Sequence, residues 1–163
     1  MSEEKRNLEV RRRRGPNHRP DDDKNIRKMI AEIEERLMDS IRPESLDGLN
    51  SFERKLVHRH FDHSSSYETR TYRNGERFTL CVYPVANIEK FAQEKAEESL
   101  QKGESIDLPP MGSFERYIVH NALKDFSGVE TVSSGEGKER HVQIVSKRFG
   151  RGLKRIAKKI KLF

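Results

Sequence analysis

The sequence has little cysteine, few apolar residues and no long apolar run, and each shortage excludes a class of protein. Its 163 residues include one cysteine, Cys81, which excludes a disulfide framework and a zinc site built from cysteines. No apolar stretch approaches a membrane span and the N-terminus does not resemble a signal peptide, so we expect a cytoplasmic protein without a transmembrane segment. Hydrophobic residues are 33% of the chain and charged residues 37%, which predicts modest cores and disordered ends.

Sequence motifs of catalysis and metal binding are also absent. There is no Walker loop, no glycine-rich dinucleotide fingerprint and no nucleophile elbow. His58, His60, Asp62 and His63 are crowded together, but His58 and His60 diverge by about 200° on a helix, whereas metal ligands must converge. Cys81 lies on a predicted strand, where a packing role is expected. We therefore expect no enzyme activity, no cofactor and no metal.

The net charge of +6 conceals a strong segregation along the chain. Residues 1–20 hold seven Lys or Arg and three Glu, a net +4, and residues 147–163 hold eight Lys or Arg and no acid, a net +8. The middle of the chain, residues 21–146, is left with a net −6. Basic arms of this kind often bind polyanions, most often nucleic acid, and the alternative is a role in solubility alone.

One block of sequence occurs twice. Residues 51–58, SFERKLVH, return 62 positions later as residues 113–120, SFERYIVH, with six of eight residues identical. A repeat of this period indicates that one kind of structural unit is used twice. Each copy carries an Arg and a His four residues apart, which lie one turn apart on the same face of a helix. These pairs are Arg54 with His58 and Arg116 with His120.

The first half of the chain reads as two helices and a hairpin. After Asp21-Asp22-Asp23, a helix with isoleucines at helical spacing extends to about residue 41. The repeated helix spans about 50–62, with Asn50 or Ser51 as its cap. Asn74-Gly75 then turns a hairpin whose second strand, 77–83, alternates as a strand with one buried face does.

The second half repeats this order of helix, helix, strand, strand. Asn87 can cap its first helix, the repeated helix spans about 112–126, and a hairpin follows. Residues 104–107 match residues 44–47, which places two extra residues in the second copy, with Pro109-Pro110 in the connection. The strand at 77–83 leads directly into this half and can serve as its first strand.

A helical projection places both Arg–His pairs at the rim of the apolar face. With Phe114 at zero, the apolar positions span about half the circle, and Arg116 and His120 fall near about 200° and 240°. A guanidinium at the rim can bind a phosphate or stack on a base, and an imidazole can donate to phosphate. The alternative is structural, in which the pair satisfies a carboxylate such as Glu115 or a strand carbonyl.

These residues resemble the R-three-H domain, a module that binds single-stranded nucleic acid and is named for an Arg and a His separated by three residues. The resemblance is carried by five segments of the second half: Leu108-Pro109-Pro110-Met111, Phe114-Glu115-Arg116, Ile118-Val119-His120-Asn121-Ala122-Leu123, Gly128-Val129-Glu130-Thr131 and Ser134-Gly135-Glu136-Gly137. They are similar to the C-terminal domain of bacterial Jag-type proteins. The first half keeps Arg54 and His58 but lacks the Pro-Pro-Met segment. No Gly-x-x-Gly clamp of a KH domain is present.

The resemblance implies an α/β (α+β) fold made of two small units. In each, two helices cover one face of a three-stranded, mainly antiparallel sheet. The expected division is a disordered basic arm at 1–22, a diverged unit at 23–84, an R-three-H domain at 77–147 and a basic amphipathic helix at 148–163. In that last segment Leu153, Ile156, Ile160 and Phe163 follow a helical period.

The expected function is non-enzymatic binding of single-stranded RNA or DNA, with a larger RNA–protein assembly as a further candidate partner. The candidate binding residues are Arg116, His120, Arg54, His58, Lys124, Arg140, Lys147 and Arg148, and the resemblance names Arg116 and His120 among them. Tyr72, Tyr83 and Tyr117 can stack bases or pack in the core. The rival is an adaptor that docks its basic C-terminal helix on a membrane surface or a partner protein.

Overall fold

The computed structural model describes residues 20–147, in which helices and two small sheets form a mixed α/β fold, as predicted. The first half contains α1 (Pro20–Leu37), β1 (Glu44–Asp47), α2 (Ser51–Phe61), β2 (Glu68–Asn74) and β3 (Arg77–Tyr83). The second half contains α3 (Val85–Lys102), β4 (Ile106–Asp107), α4 (Ser113–Leu123), β5 (Val129–Ser134), a 3-10 helix (Gly137–Glu139) and β6 (His141–Ser146).

Several predictions concern the two ends of the chain. The basic arm falls mostly on residues 1–19, and the C-terminal helix at 148–163 falls beyond residue 147 with Arg148, so both lie outside the described residues. Residues 20–22, which the predicted arm at 1–22 includes, form the first turn of α1. Within residues 20–147, no helix is both long and apolar enough to cross a membrane.

Each half contains one three-stranded antiparallel sheet, with strand orders β1-β3-β2 and β4-β6-β5. The residue patterns alone indicate only two strands per half. The third strand lies between the two helices and pairs along the free edge of the hairpin's second strand. Because β1 has four residues and β4 only two, neither is long enough to show a clear alternation.

The two sheets have the same register at a constant offset of 62 residues. Corresponding partners across the strands are Glu44 with Val82 and Ile106 with Ile144, and Thr69 with Val82 and Thr131 with Ile144. The match of residues 44–47 with residues 104–107 is therefore wrong by two positions. The second copy has no extra residues between its edge strand and the repeated helix, and Pro109-Pro110 substitutes for residues of the first copy.

α1 buries the predicted isoleucine stripe but ends earlier than its period suggests. Ile26, Ile30, Ile33 and Leu37 are all buried in a core shared with α2 and β3. The stripe continues to Ile41, yet the helix ends at Leu37 instead of near residue 41. Ile41 packs against the core of the second half, so the chain must leave the helix to reach it.

The last four residues of β3, 80–83, are buried on both faces, although the alternation of the strand predicts one buried face. Leu80 and Val82 face the first core, while Cys81 and Tyr83 belong to the second core. The ring of Phe114, from α4, meets Tyr83 edge-on at 4.7 Å and covers this second face. Among the described strands, β3 pairs with β1 and β2 and with no strand of the second sheet, so it does not serve as the first strand of the second half.

Polar contacts also join the two halves. Asn87 does not cap α3, which begins at Val85; its Nδ2 instead lies 2.8, 3.0 and 2.9 Å from the carbonyl oxygens of Leu37, Met38 and Ser40. The side chain therefore satisfies carbonyls at the end of α1, which an α-helix leaves unpaired. In addition, Arg42 donates from Nη1 to the carbonyl oxygen of Pro110 at 2.6 Å.

Candidate nucleic-acid interface

Arg116 is anchored at the rim of α4 by a loop carbonyl. Its Nη1 donates to the carbonyl oxygen of Met111 at 2.8 Å, and the side chain is half-buried. Glu115, the carboxylate weighed as a partner, instead accepts from the backbone N–H of Gly112 at 2.7 Å and caps the helix. A Cβ at position 112 would lie 2.8 Å from that carboxylate. The remaining donors of Arg116 have no partner among residues 20–147.

His120 lies one turn further along α4, between the helix and β5. Its Nδ1 lies 2.7 Å from Oγ1 of Thr131. Burial lowers the pKa of His120, and the positive charge of Arg116 lowers it further, so the imidazole is neutral at pH 7. Within the described part of the chain, Nε2 has no hydrogen-bond partner. The ring is thus held by one nitrogen and presents the other.

Arg140 converges on the same place from the connection before β6. Its Nε donates to Oγ of Ser133 at 3.3 Å, and its carbonyl oxygen accepts from the N–H of Met111 at 3.0 Å. Ser133 and Thr131 are two residues apart on β5, so their side chains share one face about 6–7 Å apart. Arg116, His120 and Arg140 are therefore brought together by partners that are themselves adjacent.

Lys124 and Lys147 lie toward the other end of α4. Lys124 follows His120 by four residues at the C-terminal cap of the helix, which continues the stripe begun by Arg116. The backbone N–H of Lys147 donates to the carbonyl oxygen of Gly128 at 2.8 Å, next to the start of β5. We call five residues the second seam: Arg116, His120 and Lys124 along α4 and its C-terminal cap, Arg140 just before β6 and Lys147 just after it. From Arg116 to Lys124 it is about 12 Å long.

The first half contains the same anchoring bonds around Arg54 and His58. Nη1 of Arg54 donates to the carbonyl oxygen of Leu49 at 2.6 Å, and Nδ1 of His58 contacts Oγ1 of Thr69. Leu49 and Thr69 correspond to Met111 and Thr131 at the offset of 62. Both Arg–His pairs are therefore held in the same way by their own units.

Further contacts in the first half cover one face of Arg54 and occupy the second ring nitrogen of His58. The ring of Phe78 lies 4.6 Å from Cζ of Arg54, a cation–π distance. Nε2 of His58 lies 2.9 Å from Oγ1 of Thr71, so both ring nitrogens have partners. Asp62 brings a negative charge to the same end of the helix and accepts from Thr69 at 3.4 Å. We call Arg54, His58, Asp62 and Phe78 the first seam.

The charges of the two seams differ because residues at corresponding positions, 62 apart, are of different types. Lys124, Arg140 and Lys147 correspond to Asp62, Phe78 and Val85. Apart from the histidines, the second seam carries four positive charges, whereas Arg54 and Asp62 balance in the first. None of the four cations of the second seam forms an ion pair among the described residues. Of the two seams, the second therefore carries the greater positive charge.

The sequence indicated the Arg–His pairs and the surrounding cations. It did not indicate the residues that anchor the pairs or those that cover the first pair. Met111, Thr131 and Ser133 carry no pattern of their own, because their role depends on tertiary contacts. The difference at Phe78 could have been predicted, because at the offset of 62 this aromatic residue corresponds to Arg140. Of the crowded histidines, His60 lies 2.8 Å from Oε1 of Glu34, away from the partners of His58.

The tyrosines fall into two classes. Tyr83 is buried, and burial together with its 2.9 Å hydrogen bond to Tyr72 raises its pKa, so the phenol stays protonated. Tyr72 and Tyr117 are 43% and 59% exposed. Packing is therefore the role of Tyr83, while Tyr72 and Tyr117 present ring surface to solvent.

Known proteins resemble the part of the chain that carries the second seam. Residues 86–146 match the family model of the R-three-H domain. The RNA-binding protein KhpB of Bacillus subtilis (strain 168) is 38% identical over 63 residues, which cover 37% of this chain and 30% of that protein. The RNA-binding protein KhpB of Clostridium symbiosum is 33% identical over 115 residues, which cover 68% of this chain and 47% of that protein. The chain thus spans less than half the length of either relative. It contains one R-three-H domain, at residues 86–146, and is homologous to these KhpB proteins.

Proposed function

We propose that the protein is a non-enzymatic RNA-binding protein that holds the phosphates of a single-stranded segment along the second seam. The R-three-H domain and the names of the two relatives support RNA as the ligand. The single observation that carries the site is the contrast between the seams within residues 20–147. In the first, Phe78 covers one face of Arg54 and both ring nitrogens of His58 have partners; in the second, Nε2 of His120 is open and four cations are present. Positive grooves of this kind track the backbone of a single strand.

Each residue of the second seam has a separate role in this proposal. The guanidinium of Arg116, fixed through one nitrogen, offers its remaining N–H groups to a phosphate as a fork. His120, fixed through Nδ1, presents Nε2 to the next phosphate or to a 2′-hydroxyl. Arg140, Lys124 and Lys147 extend the positive line to both ends of α4. Arg148 and the two basic tails add attraction that weakens with salt.

We further propose that the first half, residues 23–84, is a diverged unit of the R-three-H type that now acts as a scaffold. The shared strand order, the constant register and the shared anchoring bonds support a common origin. Phe78 and Asp62 oppose a phosphate at Arg54, because the ring covers the guanidinium and the carboxylate repels the anion. The cytoplasm is the proposed compartment, since the free thiol of Cys81 suits a reducing environment.

A matched pair of double variants tests the site. Arg116→Ala with His120→Ala removes the open pair, and Arg54→Ala with His58→Ala removes the closed one. Each phosphate contact on a single strand changes the salt slope by about 0.7, which is about fivefold in affinity at about 0.1 M salt. With a similar loss from the histidine hydrogen bond, the first double variant should bind single-stranded RNA about 20- to 30-fold more weakly.

The second double variant should keep its affinity within about twofold and lose stability instead, because it removes bonds to Leu49, Thr69 and Thr71. Affinity is measured by fluorescence anisotropy with labelled single-stranded RNA at several salt concentrations, with single-stranded DNA in parallel. Folding is checked by circular dichroism. Equal losses in the two variants, or no loss in a folded Arg116 and His120 variant, would contradict the assignment.

A further inference from the structure

An exposed aromatic ring lies beside the second seam. On the helical projection of α4, Arg116, His120 and Lys124 occupy about 200°, 240° and 280°, and Tyr117 follows at about 300°. The side chain of Tyr117 is 59% exposed. Its hydroxyl group has no hydrogen-bond partner within the described part of the chain. The ring therefore borders the line of cations without taking part in the core.

The ring of Tyr117 is backed by other rings. It stacks on Phe114 with centroids 5.8 Å apart and an interplanar angle of 17°. Phe114 is 7% exposed and is itself held by the first half: Tyr83 meets it edge-on, and the guanidinium of Arg70 lies 3.6 Å from its centroid. Arg70 is in turn fixed by two hydrogen bonds to Glu68. Tyr117 thus rests on a support built from both halves of the chain.

The first half lacks this arrangement. At the offset of 62, Tyr117 corresponds to Lys55, an exposed residue of α2. At this position of the repeated helix, therefore, the second seam has an exposed aromatic ring and the first has a lysine. Bases that stack on aromatic side chains typically gain about 1–3 kcal/mol each, with little dependence on sequence.

We propose that Tyr117 is a stacking platform for one unpaired nucleobase of the strand whose phosphates lie along the second seam. This inference rests on the proposed function of that seam. A base in a duplex is already stacked and paired, so the platform selects single-stranded segments. Arg70 and Tyr83 act through Phe114 to hold the ring in place, which makes the first half a part of the base-binding surface without a phosphate contact of its own.

The test compares Tyr117→Phe with Tyr117→Leu in the full chain. Phe keeps the ring, whereas Leu keeps apolar bulk without a stacking face. The affinity of Tyr117→Leu for single-stranded RNA should fall by about 5- to 150-fold, and that of Tyr117→Phe should stay within about twofold of the wild type. Val132→Ala, at an exposed apolar position on β5, is the control and should change nothing.

A fluorescent base in the RNA gives an independent readout. An oligonucleotide with 2-aminopurine scanned through successive positions should show quenching at one position in the wild type and in Tyr117→Phe, and none in Tyr117→Leu. An RNA with an abasic nucleotide at that position should bind the wild type and Tyr117→Leu equally. Equal affinity of Tyr117→Leu and wild type for intact RNA would overturn the platform, while a loss on Arg116→Ala with His120→Ala in the same assay would leave the phosphate seam standing.

Discussion

Replacing Arg140 by Phe should close the second seam in the way that Phe78 closes the first. Arg140 corresponds to Phe78, whose ring lies 4.6 Å from Cζ of Arg54. The backbone of Met111 donates to the carbonyl of Arg140 and accepts from the guanidinium of Arg116, so the two residues lie together. A phenyl ring at position 140 can therefore stack on one face of Arg116 and restrict the approach of a phosphate to its N–H groups.

The size of the effect follows from counting the phosphate contacts that are lost. Arg140→Ala removes one cation, which is about fivefold in RNA affinity at about 0.1 M salt. Arg140→Phe removes the same cation and also masks Arg116, which multiplies to about 25-fold. In the opposite direction, an exposed cation–π contact contributes about 0.5–1 kcal/mol to stability. The Phe variant should therefore bind RNA more weakly than the Ala variant and resist unfolding at least as well.

The assay measures both properties on the same three proteins: wild type, Arg140→Ala and Arg140→Phe. Anisotropy with labelled single-stranded RNA gives affinity and the salt slope, and urea unfolding followed by circular dichroism gives the free energy of unfolding. The slope should become shallower by about 0.7 for Ala and by about 1.4 for Phe. Equal affinities for the two variants would refute the reasoning, because the aromatic cover would then not be what separates the seams.

Two further outcomes follow from named contacts. Asn87→Ala leaves carbonyls at the end of α1 without their donor, so it should lower the free energy of unfolding, measured in urea, by about 1–3 kcal/mol. The control is Asn121→Ala, on the exposed side of α4, which should change the free energy of unfolding little. Equal effects of the two substitutions would contradict the role of Asn87. Because burial and Arg116 lower the pKa of His120, its contribution to stability is present above a pH of about 6.5, the unfolded value, and is lost as the pH falls through the lower folded value. A bound phosphate favours the charged imidazole, so RNA affinity should rise from about pH 7.5 to about 5.5 more steeply in the wild type than in His120→Gln, and parallel profiles would exclude a phosphate at Nε2.

Local patterns determined most of the elements, and long-range packing determined the rest. The repeated helices begin and end within about three residues of their predicted bounds, because caps and helical periods are local. The capping box of Asn50 and Glu53 is one such signal. The second buried face of β3 could not be read from its alternation, since a later helix covers it. Asn87 likewise looks like a helix cap, and only the fold shows that it serves the preceding helix.

The candidate site divides in the same way. Helical projection placed Arg116 and His120 at the rim, where the structure has them half-buried with one side open. Their anchors could not be predicted, because Met111 and Thr131 meet them only after the sheet has formed. The differences between corresponding residues of the two seams are present in the sequence and could have been predicted from the offset of 62. Applying that offset to the strands required their register, because the local match of residues 104–107 with residues 44–47 gives a different alignment.

The repeated Arg–His pair is therefore weak evidence for binding when taken alone. In both halves the arginine binds a loop carbonyl and the histidine binds a strand threonine, so the pair has a structural role in each half. What differs is the surroundings: a ring and an acid close one pair, and two lysines and an arginine extend the other. If the function depended on the pair itself, transplanting Phe78 and Asp62 into the second seam would leave RNA binding intact. On our reasoning, Arg140→Phe with Lys124→Asp should abolish most of it while Arg116 and His120 remain in place.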